Sequence, residues 1–197
     1  MSDEQTLSVY AEKAVEYAGM TNNANDSDPL LSAFIRDIPS GGRVLDLGCG
    51  PGASAAVMAR AGLEAHAWDP VAEMVALAAE QSGVIARQAG FNTLTETDTF
   101  DGIWANFSLL HAARDEMPGH LARIATALKP GGRFHIALKS GAGSKRDSIG
   151  RLYTYYTDTE LTGLLEAAGM TVTRRAEGIG KGLDGTDAAW ISLAAHA

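Results

Sequence analysis

The sequence predicts an α/β fold, doubly wound, with a mostly parallel sheet and helices on both faces. Three observations predict it. Apolar runs of strand length alternate with runs of helical periodicity from about residue 43 onward, the pattern of β–α–β units. A glycine-rich turn joins the first of those strands to the first of those helices. The 197 residues are 46% hydrophobic and only 20% charged, enough to fill one core and too apolar for disorder.

The elements follow in order. Leu7, Tyr10, Ala11, Ala14, Val15 and Ala18 recur at helical spacing and predict one amphipathic helix over about 4–18. Residues 21–28 are polar and turn-rich. Asp28-Pro29 reads as an N-cap and a first-turn proline, opening a helix through Leu30, Leu31, Phe34, Ile35 and Ile38. Strands are expected at 43–47, 64–68, 84–88, 101–106 and 133–139, with helices at 53–61, 70–81 and 117–128 between them. Lys129-Pro130-Gly131-Gly132 reads as a turn, and 140–147 (SGAGSKRD) as a flexible charged loop. Thr157 and Glu160 form a capping box for a helix over 157–168, stopped by Gly169. Two late strands are expected at 170–175 and 188–193.

Composition narrows the function. A net charge of -8 argues against non-specific grip on nucleic acid, which needs a basic face. One cysteine, Cys49, allows no intrachain disulfide and no cysteine metal site, and no metal is expected. The first residues, MSDEQTLS, lack the basic and apolar segments of a secretion signal. No apolar run reaches the length of a membrane span. A soluble, cytoplasmic protein without a membrane or nucleic-acid partner is the expectation.

The strongest motif is Val44-Leu45-Asp46-Leu47-Gly48-Cys49-Gly50-Pro51-Gly52. It ends a strand and opens a helix, the context in which glycines let backbone approach a ligand. Gly48, Gly50 and Ala53 also fit a relaxed dinucleotide fingerprint. Electrostatics separates the two readings. A dinucleotide would bring an anionic pyrophosphate beside Asp46. S-adenosylmethionine brings an ammonium and a sulfonium, which Asp46 suits.

The run VLDLGCGPG closely resembles the first motif of the class I, Rossmann-like S-adenosylmethionine-dependent methyltransferases, and the resemblance extends from about Gly42 to Leu138. It implies a seven-stranded sheet whose last strand is antiparallel. It implies one methyltransferase domain over 1–197, in which 1–40 form a helical lid segment and 41–197 the Rossmann-like core. It also implies cofactor positions. Gly48, Cys49 and Gly50 would line the turn. Asp69, 23 residues after Asp46, would accept hydrogen bonds from both ribose hydroxyls. Asp69-Pro70 also reads as a helix N-cap pair. Met74 and Phe91 could pack on adenine or belong to the core. The family often has Asp after the third strand; this chain has Gln88-Ala89, and either could meet the adenine amino group. Asn106 and Phe107, ending the fourth strand, would pass beside the methionine part of the cofactor, with His111 near. Tyr17 is the expected lid contact.

Methyl transfer from a sulfonium is an in-line displacement whose main demand is alignment. A base is needed only when the nucleophile keeps its proton. Candidates for that role are His111 and Tyr155. Lys139, Arg146, Tyr153, Tyr155 and Tyr156 lie in segments expected at the active edge and would suit a carboxylate, phosphate or polar aromatic acceptor. No Asn/Asp-Pro-Pro-Tyr/Phe run and no catalytic cysteine of the cytosine type is present. A small-molecule acceptor is the leading expectation. The alternatives are a non-catalytic cofactor-binding regulator, a protein methyltransferase and, least favoured, an NAD-dependent oxidoreductase.

Overall fold

A computed structural model describes residues 3–21 and 27–197. Residues 22–26 of the predicted polar stretch lie outside the described residues.

The chain begins with α1 (Glu4–Glu12), α2 (Ala14–Thr21) and α3 (Pro29–Arg36). It then runs β1 (Arg43–Leu47), α4 (Ala53–Arg60), β2 (Glu64–Asp69), α5 (Ala72–Ala79) and β3 (Val84–Gln88). The second half holds β4 (Phe100–Asn106), α6 (Met117–Ala127), β5 (Leu128–Lys139), β6 (Ser144–Arg146) and β7 (Leu152–Thr154). α7 (Asp158–Ala167), β8 (Thr171–Lys181) and β9 (Asp187–His196) complete it.

Seven strands form one sheet in the order β3-β2-β1-β4-β5-β9-β8. β9 runs antiparallel to both of its neighbours, and the other pairings are parallel. Strand order reverses between β1 and β4, so the ligand crevice belongs beyond the carboxyl ends of those two strands. Successive strand residues point to opposite faces and meet different helices. Leu45, Leu47, Ile103 and Phe134 pack with Leu121 and Ile124 of α6 and Leu161 and Leu165 of α7. Val44, Ala65, Ala67 and Trp104 pack with Leu31 and Phe34 of α3 and Met58 of α4.

Local chemistry sets the helix ends. Asp28 Oδ1 accepts from the Leu30 amide at 2.8 Å, so the predicted cap and proline open α3. Thr157 and Glu160 form the reciprocal capping box of α7.

Four expectations need correction. The single helix over 4–18 is two, divided at Lys13, and Leu7, Tyr10 and Ala11 of the first pack with Ala14 and Tyr17 of the second on Val71 and Met74. The loop 140–147 is not free. Ser144–Arg146 pairs with Leu152–Thr154 as a small hairpin, and Arg146 is pinned by Asp3 at the α1 N-cap. The turn at 129–132 is a register shift inside β5, opposite Phe100 and Gly102. The two late strands are longer than read and form one extended hairpin turning at Asp184-Gly185, where Gly185 has φ +77°.

Candidate cofactor and acceptor site

A cavity of about 550 Å³ opens at the carboxyl ends of β1, β2 and β4. The glycine turn forms its floor. Gly48 and Gly50 have φ +79° and +53°, a left-handed backbone that disfavours any side chain. A Cβ on Gly48 would stand 2.3 Å from the Ser108 Cβ, so the position also lacks room. The Gly48 and Cys49 amides donate to the Trp68 carbonyl at 2.7 and 3.0 Å, and Ser108 Oγ donates to the Leu47 carbonyl at 2.6 Å. The turn is thereby fastened to β2 on one side and to the end of β4 on the other.

Two carboxylates flank the turn. Asp69 Oδ2 accepts from the Gly50 amide at 2.9 Å, and Oδ1 from the Val71 amide at 2.9 Å. Asp69 therefore joins the turn to the entry of α5; the N-cap position itself is Val71. Asp46 Oδ2 accepts from Ala55 in the first turn of α4 at 3.2 Å. Both are buried, and neither forms an ion pair among the described residues. Burial pushes Asp46 up to about 7 and Asp69 up to about 6, the nearby Asp69 adding to the rise at Asp46. Such a pair invites a cationic or hydrogen-bond-donating ligand.

Tyr17, Asp46, Gly48, Cys49, Gly50, Asp69 and Pro70 all line this cavity. Met74 and Phe91 are both core and wall: each is buried, and each lines the cavity. Tyr17 lies over Gly50, its Cε1 3.3 Å from where a Cβ would be. Burial drives the Cys49 thiol well above its ordinary range, so it is a packed wall and not a nucleophile. Gln88 and Ala89 do not line the cavity. The Gln88 amide is exposed and donates to the Pro70 carbonyl at 3.0 Å.

Asn106, Phe107, Ser108 and His111 form the opposite wall. Asn106 Oδ1 accepts from His135 Nε2 at 3.2 Å. Burial pushes His135 down to about 3, so it stays neutral, stacked 3.5 Å from Trp104. Phe107 has φ +53°, rare for a large side chain, and is partly exposed at the cavity edge facing Trp190. His111 meets Tyr10 of α1, a residue the sequence reading did not place in the site.

The five acceptor-side residues expected at the active edge, Lys139, Arg146, Tyr153, Tyr155 and Tyr156, do not line the cavity. Their partners explain this. Lys139 Nζ sits 3.9 Å over the Tyr153 ring. Arg146 is held by Asp3. Tyr153 and Tyr156 are buried, the latter beneath the Arg114 guanidinium at 4.5 Å. Tyr155 packs on Gly141. In their place the structure brings Thr6, Leu7 and Tyr10 from α1 and Lys181 from the end of β8. The Asp184-Gly185 pair, a strong hairpin signal, could have located Lys181; nothing in the helical pattern distinguished Tyr10 from Tyr17.

No group of three or more metal-ligating side chains occurs among the described residues. No helix among them is long and apolar enough to cross a membrane.

Comparison with known proteins adds the following. Residues 44–132 match the family model described as a methyltransferase domain. A cypemycin N-terminal methyltransferase from a Streptomyces species is 35% identical over 132 residues, 64% of this chain. The alignment covers 54% of that protein, so the chain spans about half the length of the curated relative it matches. The 1,6-didemethyltoxoflavin-N1-methyltransferase of Burkholderia thailandensis, solved with 1,6-didemethyltoxoflavin and S-adenosylhomocysteine, superposes with TM-score 0.72 at 24% identity. That match covers 96% of this chain and 87% of the other. A chain from the solved complex of the Haloferax volcanii Trm112 methyltransferase activator superposes with TM-score 0.74 at 18% identity over 98% of this chain and 96% of the other. These two likenesses establish the shared fold.

Proposed function

We propose that this chain, which belongs to the class I (Rossmann-like) S-adenosylmethionine-dependent methyltransferases, binds that cofactor in the cavity and transfers its methyl group to a nitrogen of a small acceptor. The observation that carries this reading is the Asp46–Asp69 pair beside a glycine turn with no room for a Cβ.

The residues fit the cofactor. Asp46 would face the ammonium. Asp69, whose carboxylate is held by the Gly50 and Val71 amides, would offer its remaining lone pairs to the ribose hydroxyls. Gly48 and Gly50 would let the backbone approach closely. Met74, Phe91 and Pro70 would pack against adenine, and Tyr17 would cover the ligand. Asn106 and Phe107 would flank the methionine part. We assign no contact to Gln88, Ala89, Lys139, Arg146, Tyr153, Tyr155 or Tyr156.

When bound, S-adenosylmethionine supplies a sulfonium methyl that a nucleophile takes by in-line displacement, leaving S-adenosylhomocysteine. The chain's task is to align that nucleophile and exclude water. α1 and α2, within the 1–40 lid segment of one domain over 1–197, would serve both ends. A nitrogen acceptor is supported by the two relatives, whose names specify an N-terminal and an N1 methylation. An unprotonated nitrogen needs no base before attack. The single cysteine, with no disulfide in the fold, accords with a cytoplasmic enzyme.

The test is calorimetric titration with S-adenosylmethionine, S-adenosylhomocysteine and NAD in parallel. It is followed by a screen for S-adenosylhomocysteine release with a short peptide bearing a free N-terminus and its N-acetylated twin. Binding of the first two ligands with release from the free peptide alone is expected. NAD binding alone would overturn the cofactor assignment. Binding without release from any nitrogen acceptor would favour a regulatory binder.

A further inference from the structure

At the acceptor wall, five groups form an unbroken polar chain whose direction can be worked out atom by atom. Asp147 Oδ2 accepts from Arg151 Nε at 2.9 Å, within a buried ion pair. Arg151 Nη1 donates to the Tyr10 hydroxyl at 3.0 Å. The Tyr10 hydroxyl meets His111 Nε2 at 2.9 Å. His111 Nδ1 meets the Leu152 carbonyl at 2.7 Å. Tyr10 and His111 both line the cavity.

Both ends of the chain fix its polarity. A guanidinium only donates and a carbonyl only accepts. The Leu152 carbonyl therefore requires the proton on His111 Nδ1. Burial pushes His111 down to about 4, so near neutral pH it carries one proton only, and Nε2 is bare. A bare Nε2 must accept from Tyr10. The Tyr10 proton is thus committed to His111, and its oxygen already accepts from Arg151.

We propose that Tyr10 is the acceptor-orienting residue of this site: its oxygen presents only a lone pair to the cavity and selects an acceptor that carries an N–H or O–H. This inference rests on the methyl-transfer reading above and deepens it. A donor group held by Tyr10 fixes which side of the acceptor nitrogen carries the lone pair that attacks. His111 then orients Tyr10 and is not a free base, since its only basic nitrogen is occupied. The surrounding charge agrees. Among the described residues lining the cavity, Lys181 is the one with a cationic side chain, and Asp187 stands 3.8 Å from it. Arg151 is turned to Asp147 and Tyr10. An anionic acceptor would find only Lys181, an exposed cation beside Asp187, and would set its lone pairs against that of Tyr10.

Two measurements test the proposal. The first is ¹⁵N NMR of the histidine rings at pH 7, free and with S-adenosylhomocysteine. A neutral His111 protonated on Nδ1 is expected. An imidazolium, or a proton on Nε2, would overturn the assignment. The second is titration of the S-adenosylhomocysteine-loaded protein with aniline and with fluorobenzene, both uncharged at pH 7, the first carrying N–H donors and the second none. Aniline should bind roughly tenfold tighter, and Tyr10→Phe should remove most of that preference, since the variant keeps the ring and loses only the oxygen. Equal binding of the two probes, no binding of either, or a preference that survives Tyr10→Phe would overturn it. If Tyr10→Phe does not fold, the wild-type NMR and probe preference still decide. If S-adenosylhomocysteine itself fails to bind, the cofactor reading falls, and the histidine tautomer of the free protein judges the Tyr10 assignment separately.

Discussion

The two halves of the cavity are built differently. The half proposed for the cofactor is centred on one stretch of chain, with Tyr17, Phe91, Asn106 and Phe107 added at its margins. Asp46, Gly48, Gly50, Asp69 and Met74 all lie within two consecutive β–α units, and hydrogen bonds from backbone amides tie the turn to β2 and to the two carboxylates. The acceptor half is gathered from distant places: Tyr10 on α1, His111 after β4, Arg151 before β7 and Lys181 at the end of β8. Each of its contacts involves a side chain, and the Arg151–Tyr10 bond spans 141 residues of sequence. The first half is dictated by backbone geometry and tolerates little change. The second is dictated by which side chains happen to converge, which is where one scaffold can vary its acceptor.

The sharpest way to break this contrast is Gly48→Val. The residue would need a left-handed backbone and would collide with Ser108. Strain and overpacking together should cost about 2–5 kcal/mol of stability and abolish cofactor binding. Thermal unfolding and titration would show it. A variant that folds and binds normally would remove the turn from the site. Next in size is Asp69→Ala, which removes the acceptor for the Gly50 amide and for the ribose. A loss of about 1–3 kcal/mol in S-adenosylhomocysteine affinity is expected by calorimetry. Tyr10→Phe should leave that affinity nearly unchanged. If the two variants lose cofactor equally, the halves are not separable.

The same contrast explains what was legible in the sequence. β1, the glycine turn and the cap of α3 announce themselves because their chemistry is local: Asp28 bonds a residue two positions on, and Gly48 needs its φ whatever lies elsewhere. Asp46 and Asp69 were readable by spacing from that turn. The acceptor wall was not. Arg146 and Tyr156 look like site residues in a list of cations and phenols. Yet Asp3, 143 residues away, takes the first, and the hydrophobic core takes the second. The β6–β7 hairpin carries no alternating pattern, since Ser144-Lys145-Arg146 is polar throughout and is held by α1 and not by a buried face. Tyr10 and Tyr17 sit on consecutive helices, and both line the cavity, Tyr10 bonded to His111 and Tyr17 over Gly50.

A pH dependence completes the contrast, and it is expected in the cofactor half alone. Asp46 and Asp69 have raised carboxyl pKa values, about 7 and about 6, with burial the leading cause in each. A raised carboxyl means the folded, ligand-free protein holds protons that the unfolded chain releases. The stabilisation from these groups is therefore full below the ordinary carboxylate range and is lost as pH rises through about 6 and then about 7. A cationic ligand demands the opposite state, since its ammonium needs an ionised Asp46. Binding S-adenosylhomocysteine should release protons, and affinity should rise roughly tenfold between pH 5.5 and 7.5. The gap in melting temperature between loaded and free protein should widen over the same range. Asp46→Asn should flatten most of both dependences. His111, pushed down to about 4, lies below this window and should leave the acceptor wall unchanged within it. Calorimetry in buffers of different ionisation enthalpy counts the protons directly. A proton count of zero throughout would mean that Asp46 keeps one protonation state on binding, and that the pocket's field is set by groups other than this pair.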